Sequence, residues 1–169
     1  MKKIILVGYM GSGKTTIGLK LSQKLNIEFI DLDQFIEEKE GLKVADIFKI
    51  KGEVYFRKQE NTWFNFLINF NSPLIISVGG GTPCYANNHL LLKHNNVESI
   101  YLKANVATLV DRLEQSTERP LLHNITDLPT FIAQHLFERT FYYNFCKYTI
   151  DVNNKETETI CQEILGKIR

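Results

Sequence analysis

The sequence predicts an α/β fold: a five-stranded parallel sheet in the middle layer, with helices covering both faces. Three observations carry this. Five short runs are apolar and largely β-branched, as strands buried on both faces are. Segments of helical spacing separate them, and strands that alternate with helices form parallel sheets. Glycines or aspartates punctuate the ends of three of the runs, where ligands of such sheets bind.

Lys3 to Val7 is the first run. Gly8 to Gly13 is rich in glycine, and Lys14 to Leu25 places Ile17, Leu21 and Leu25 on one helical face. Glu28-Phe29-Ile30 is a second strand that ends at Asp31-Leu32-Asp33. From Gln34 to Phe70 the pattern is mostly helical, with breaks near Gly41 and Gly52. Leu74 to Val78 is a third strand and runs into Gly79-Gly80-Gly81. A helix is expected around Asn87 to His94, a fourth strand at Val97 to Leu102, and a helix at Val106 to Leu113. Glu114 to Thr126 is polar, carries Pro120 and reads as a loop. Leu128 to Phe145 is a helix, Tyr148 to Val152 the fifth strand, and Lys155 to Ile168 a closing helix.

Length and composition bound the function. A chain of 169 residues is one domain of ordinary size. The apolar fraction of 44% and charged fraction of 23% are those of a globular protein, not of a disordered or coiled-coil chain. A net charge of +1 provides no strong field for nucleic acid or an anionic membrane, so neither is expected as a partner. Ile4 to Val7 is too short for a signal-peptide core, and no apolar run approaches a membrane span. Cys84, Cys146 and Cys161 are odd in number and widely spaced, which suits free thiols in a reducing compartment. The four histidines show no zinc-ligand spacing.

The strongest motif is Gly8-Tyr9-Met10-Gly11-Ser12-Gly13-Lys14-Thr15. It fits G-x-x-x-x-G-K-[ST] in a strand–loop–helix setting. Glycines let successive N–H groups wrap a phosphate, and the helix that follows points its positive end at the same anion. Lys14 would reach the β and γ phosphates, and the Thr15 hydroxyl would ligate Mg²⁺. Asp31 and Asp33 stand at the next strand end, suited to orienting metal-bound water and to accepting a proton. Asp33 could instead cap a helix starting near Gln34. Gly79-Gly80-Gly81 permits close approach to a ligand, or is a plain turn. Arg57, Arg119 and Arg139 could be ordinary surface charges, or planar forks for carboxylate and phosphate. Spacing along the chain cannot bring these three together.

With these motifs on the page, the chain resembles the bacterial shikimate kinases. The resemblance runs through Gly8–Gly18, Phe29–Asp33, Ile36-Glu37, Ile47-Phe48, Gly52-Glu53, Phe56-Arg57, Glu60, Gly79–Gly81, Arg119-Pro120-Leu121-Leu122 and Glu138-Arg139, in order and over essentially the whole length. It implies a P-loop kinase fold of nucleoside-monophosphate-kinase type, and one kinase domain over 1–169, with a substrate-binding helical segment at about 32–60 and a mobile lid at about 114–126. The implied reaction moves the γ-phosphoryl of ATP to the 3-hydroxyl of shikimate, with Mg²⁺, in aromatic amino-acid biosynthesis. A cytoplasmic monomer is expected.

The resemblance also implies roles by position. Asp33 would bind shikimate hydroxyls and act as base, and an ordinary carboxylate pKa would suffice. Asp31 would support Mg²⁺ through water. Arg57 and Arg139 would clamp the shikimate carboxylate, and Gly79, Gly80 and Gly81 would contribute backbone contacts. Gly11, Ser12, Gly13, Lys14, Thr15 and Thr16 would hold the nucleotide phosphates, with Arg112 nearby and Arg119 closing over them. Phe48 and Phe56 would line the wall beside the acceptor ring. The adenine loop falls at Asp151-Val152-Asn153-Asn154, through Asn153, and matches loosely. Past Arg139 the family continues toward Tyr-x-Glu-x-Ala, whereas this chain has Tyr143-Asn144-Phe145-Cys146-Lys147, so the helix end should pack differently. Two other readings stay open: another small-molecule kinase of this fold, separable by an acceptor panel, and a nucleotide-binding module that binds ATP without turnover.

Overall fold

The first strand, β1 (Lys3–Val7), is buried at every position and runs through the centre of the sheet. Its alternation feeds two cores: Ile4 and Leu6 enter one cluster, Ile5 and Val7 the other. A strand buried on both faces is therefore apolar throughout rather than alternating. Lys3 is the exception. Its ammonium donates to the carbonyls of Phe70 and Ser72, each at 2.7 Å, and burial lowers its pKa.

The computed structural model describes residues 2–115 and 125–168. After β1 come α1 (Lys14–Leu25), β2 (Glu28–Asp31), α2 (Leu32–Glu40), α3 (Val44–Lys51), α4 (Glu53–Asn69) and β3 (Leu74–Ser77). A single 3₁₀ turn (Thr82–Cys84) leads to α5 (Asn88–Leu91), β4 (Val97–Lys103) and α6 (Val106–Glu114). The chain closes with α7 (Leu128–Tyr143), β5 (Tyr148–Asp151) and α8 (Thr157–Lys167). The five strands are parallel in the order β2-β3-β1-β4-β5, with Ile5 opposite Ile76 and Ser99. One core packs α1, α6 and α8 on one face, and the other packs α2 to α5 on the opposite face. The expected three-layer α/β/α fold is present.

Local differences from the sequence reading have local causes. Helix α2 begins at Leu32, not near Gln34, because Asp31 rather than Asp33 is its cap: Asp31 Oδ1 accepts from the N–H groups of Asp33 (3.1 Å) and Gln34 (3.3 Å). Capping by Asp31 leaves the Asp33 side chain outside that role. Helix α5 is four residues long, shorter than the stretch read from Asn87 to His94. Helix α7 ends at Tyr143, and the next residues leave it to pack. Phe145 lies edge-on to His89 at 4.5 Å, and the Lys147 N–H donates to Ser99 Oγ at 2.9 Å. The loop read at Glu114 to Thr126 falls largely at 116–124, outside the described residues; Glu114 itself ends α6. Gly18 is placed where α1 presses on β2, since a Cβ there would run into the Phe29 ring.

Candidate active site

The loop between β1 and α1 needs glycine at two points: Gly11 and Gly13 have φ of +83° and +96°, where a side chain would be strained. Gly8 is required by space instead, since a Cβ there would lie 2.9 Å from the Leu102 carbonyl oxygen. The Lys14 ammonium donates to the carbonyls of Gly8 (2.8 Å) and Tyr9 (3.1 Å), so the loop closes on its own lysine. Arg112, from α6, donates to the Gly11 carbonyl at 3.1 Å and to that of Val152 at 3.4 Å.

A cleft of about 720 Å³ opens over this loop. Gly11, Ser12, Gly13, Lys14, Thr15 and Thr16 line it, together with Asp31, Asp33, Gly79, Gly80 and Arg112. Apart from Arg112, which comes from α6, these follow the carboxyl ends of β1, β2 and β3, as the punctuation predicts. Asn153 is not in this lining. Its amide oxygen accepts from the Asn105 N–H at 2.9 Å, and its amide nitrogen donates to Asp151 at 3.2 Å. Lys155 and Thr157, at the start of the last helix, line the cleft instead.

The glycine triplet brings together what spacing could not. A Cβ on Gly79 would lie 3.1 Å from Asp33 Oδ1. One on Gly80 would lie 3.2 Å from Arg139 Nη1, and one on Gly81 2.9 Å from Arg57 Nη2. Each glycine thus admits one charged side chain, from α2, α7 and α4 in turn. Arg119 lies outside the described residues.

Arg57 is held from several sides. It donates to Glu60 at 2.9 Å and to Glu53 at 3.4 Å, and its guanidinium stacks 4.0 Å from the Tyr85 ring centre. Phe48 and Phe56 pack on each other beside it, at 4.8 Å. Glu60 is buried and also accepts from the Thr82 hydroxyl at 2.6 Å. Arg139 lies 5.4 Å over the Tyr9 ring, and no carboxylate among the described residues pairs with it.

Asp33 departs from the ordinary carboxylate value. The cleft leaves it partly accessible, but protein surrounds its carboxyl on the other sides. That desolvation, with the nearby charges of Asp31 and Glu60, outweighs Lys14 and Arg57 and pushes its pKa up to about 6. An ordinary value would suffice for the proton transfer; the rise comes from burial at the floor of a cleft, which is not visible in a short acidic motif.

The chain is similar to known proteins over nearly its whole length. A family model of the shikimate kinases matches residues 10–169. The chain belongs to the shikimate kinase family. A shikimate kinase of Flavobacterium psychrophilum is 54% identical over 167 residues, 97% of each chain. The crystal structure of the shikimate kinase from Bacteroides thetaiotaomicron superposes with a TM-score of 0.91 at 32% identity, over 99% of this chain and 98% of that one. The shikimate kinase of Acinetobacter baumannii, solved in complex with shikimate, gives 0.89 at 34% identity, over 99% and 93%. The chain is an ATP-dependent kinase of this family, a transferase of aromatic amino-acid biosynthesis. Within it, sequence reasoning missed Tyr143, whose hydroxyl donates to the Gly80 carbonyl, and Tyr85, which backs Arg57. Tyr143 stands in the sequence as the tyrosine of the family's Tyr-x-Glu-x-Ala ending, with no role attached to it, and Tyr85 carries no motif.

Proposed function

We propose that the cleft carries out the family's reaction, transfer of the γ-phosphoryl of ATP to the 3-hydroxyl of shikimate, with the two substrates meeting at Asp33. The observation that supports this division is the convergence of Asp33, Arg139 and Arg57 on Gly79, Gly80 and Gly81, beside the phosphate loop. Two guanidinium groups on neighbouring glycines suit a carboxylate, which they meet by forked hydrogen bonds. Glu60 and Tyr85 keep Arg57 in place, so little side-chain entropy is lost on binding. Asp33 accepts the acceptor's hydroxyl proton. With a pKa near 6 it is ionised at neutral pH and still basic enough to take a proton as the phosphoryl leaves ATP.

On the nucleotide side, the N–H groups of residues 11–16 wrap the phosphates, Lys14 moves from loop carbonyls to phosphate oxygens, and Arg112 neighbours the nucleotide. Arg119 is assigned to the same phosphates. Asn153 keeps its family role only if its amide turns from Asn105.

The donors present suit Mg²⁺. Thr15 and Asp31 are hard oxygen ligands in the cleft lining, and capping uses Asp31 Oδ1, leaving Oδ2 for a water. Two protein donors suit an ion that takes its other ligands from phosphates and water. When bound, Mg²⁺ neutralises charge on the phosphates. We assign the chain to the cytoplasm as a monomer; its three free thiols suit a reducing compartment.

The test is ADP release from ATP on addition of shikimate, against a panel of other hydroxy acids and nucleoside monophosphates. Release with shikimate alone is expected. Release only with another acceptor would overturn the acceptor assignment, and ATP binding without release on any would favour a non-catalytic module.

A further inference from the structure

Tyr143 ends α7 and is fully buried, with its ring 5.1 Å from that of Tyr101. Burial pushes its hydroxyl well above the ordinary phenol range, so it is a neutral O–H donor at physiological pH. That donor goes to the Gly80 carbonyl at 2.6 Å. The Gly80 carbonyl and the Gly81 N–H belong to one planar trans peptide, so fixing the oxygen on one side aims the N–H to the other. The flanking carbonyls are engaged locally: Gly79 accepts from the Thr82 N–H and Gly81 from that of Cys84. The Gly81 N–H itself makes no hydrogen bond among the described residues. It stands beside Arg57, whose Nη2 would crowd a Cβ on the same residue. Tyr143 also borders Arg139, since a Cβ on Gly80 would lie 3.2 Å from Arg139 Nη1 and 3.5 Å from the Tyr143 oxygen.

We propose that Tyr143 is a positioning residue for the acceptor: its hydroxyl holds the Gly80–Gly81 peptide so that the Gly81 N–H is presented to the carboxylate that Arg57 and Arg139 grip. This rests on the acceptor reading above. The hydroxyl touches neither substrate and acts through the groups it orients, the Gly80–Gly81 peptide and the Arg139 guanidinium that hydrogen-bonds to it. Its loss therefore affects acceptor recognition and spares the nucleotide.

Tyr143→Phe keeps the ring and removes the donor. Tyr101→Phe is the matched control, since it removes a buried hydroxyl from the same ring pair without touching the glycines. In steady-state kinetics on the whole enzyme, Y143F should raise KM for shikimate roughly three- to tenfold, the scale of one hydrogen bond. KM for ATP should stay within about twofold, and Y101F should alter neither KM beyond that. An unchanged shikimate KM in Y143F, or equal rises in both KM values, would make Tyr143 a core residue only and overturn the proposal. Should Y143F fail to fold, the wild-type amide spectrum decides: the Gly81 resonance must shift on addition of shikimate, and a stationary resonance overturns it. A wild-type enzyme that releases no ADP with shikimate refutes the acceptor reading itself, whatever Y143F does.

Discussion

Asp33 shows at a single residue how the proposed function would cost stability. Its pKa lies at about 6 in the folded chain against 3.8 for the ordinary side chain, so folding favours its protonated form. The stabilising contribution is complete below about pH 4 and is lost as pH rises through about 6. At neutral pH the ionised carboxylate therefore opposes folding, by something on the order of 2 kcal/mol once its partial contact with solvent is allowed for. Asp33→Asn should abolish turnover and raise the melting temperature at pH 7.5. A lower melting temperature would mean that Asp33 is stabilised by contacts in the native state. In the wild type, kcat/KM for shikimate should fall as pH drops below about 6.

The two arginines proposed to clamp the acceptor carboxylate differ at the same scale. Arg57 neutralises Glu60, which is almost wholly buried, whereas Arg139 has no carboxylate partner among the described residues. Removing one member of a buried pair strands the other's charge, at a cost of about 3–5 kcal/mol. Arg57→Ala should therefore lower both the melting temperature and kcat/KM for shikimate, while Arg139→Ala should lower kcat/KM with little change in melting. Each loss of a charged hydrogen bond is worth roughly ten- to a hundredfold in kcat/KM. Equal thermal shifts in the two variants would refute the assigned difference.

At the scale of elements, the turn from β2 into α2 gives Asp31 two tasks: it caps the helix and stands at the proposed Mg²⁺ site. The tasks can be separated because asparagine caps as well as aspartate, while alanine does not. Asp31→Asn should keep the thermal stability and raise the Mg²⁺ concentration needed for half-maximal rate. Asp31→Ala should do the same to the Mg²⁺ requirement and lose about 1 kcal/mol of stability in denaturant titration. An Mg²⁺ requirement identical in all three proteins would leave Asp31 a cap alone. The same turn shows what sequence conceals: two aspartates two apart read alike, and only the backbone at Asp31, with φ of −88° and ψ of 120°, decides which one caps.

Across the whole molecule, the strand order β2-β3-β1-β4-β5 puts the glycine-rich loop after β1 between the proposed acceptor groups after β3 and Arg112 from beyond β4. The two binding regions should therefore be separable by titration. Lys14→Ala should retain the fold and bind shikimate near normally, with transfer below about a tenth of wild type, because its ammonium reaches the loop carbonyls of Gly8 and Tyr9 and is assigned to the phosphates. Retained transfer, or loss of shikimate affinity as large as that of Arg139→Ala, would contradict this division.

By itself the sequence determined the layers and one half of the site. Strands buried on both faces must be apolar throughout, and a phosphate loop is one contiguous segment whose glycines are set by local backbone, so both are legible in order along the chain. The resemblance named Asp33, Arg57, Arg139 and the triple glycine, but could not say how they meet. Only the tertiary structure decided that, because the groups come from α2, α4 and α7 and are joined by packing against the end of β3. It also decided the raised pKa of Asp33 and the Tyr143 support behind Gly80. Both depend on burial and on distances across the fold, which the order of residues does not contain.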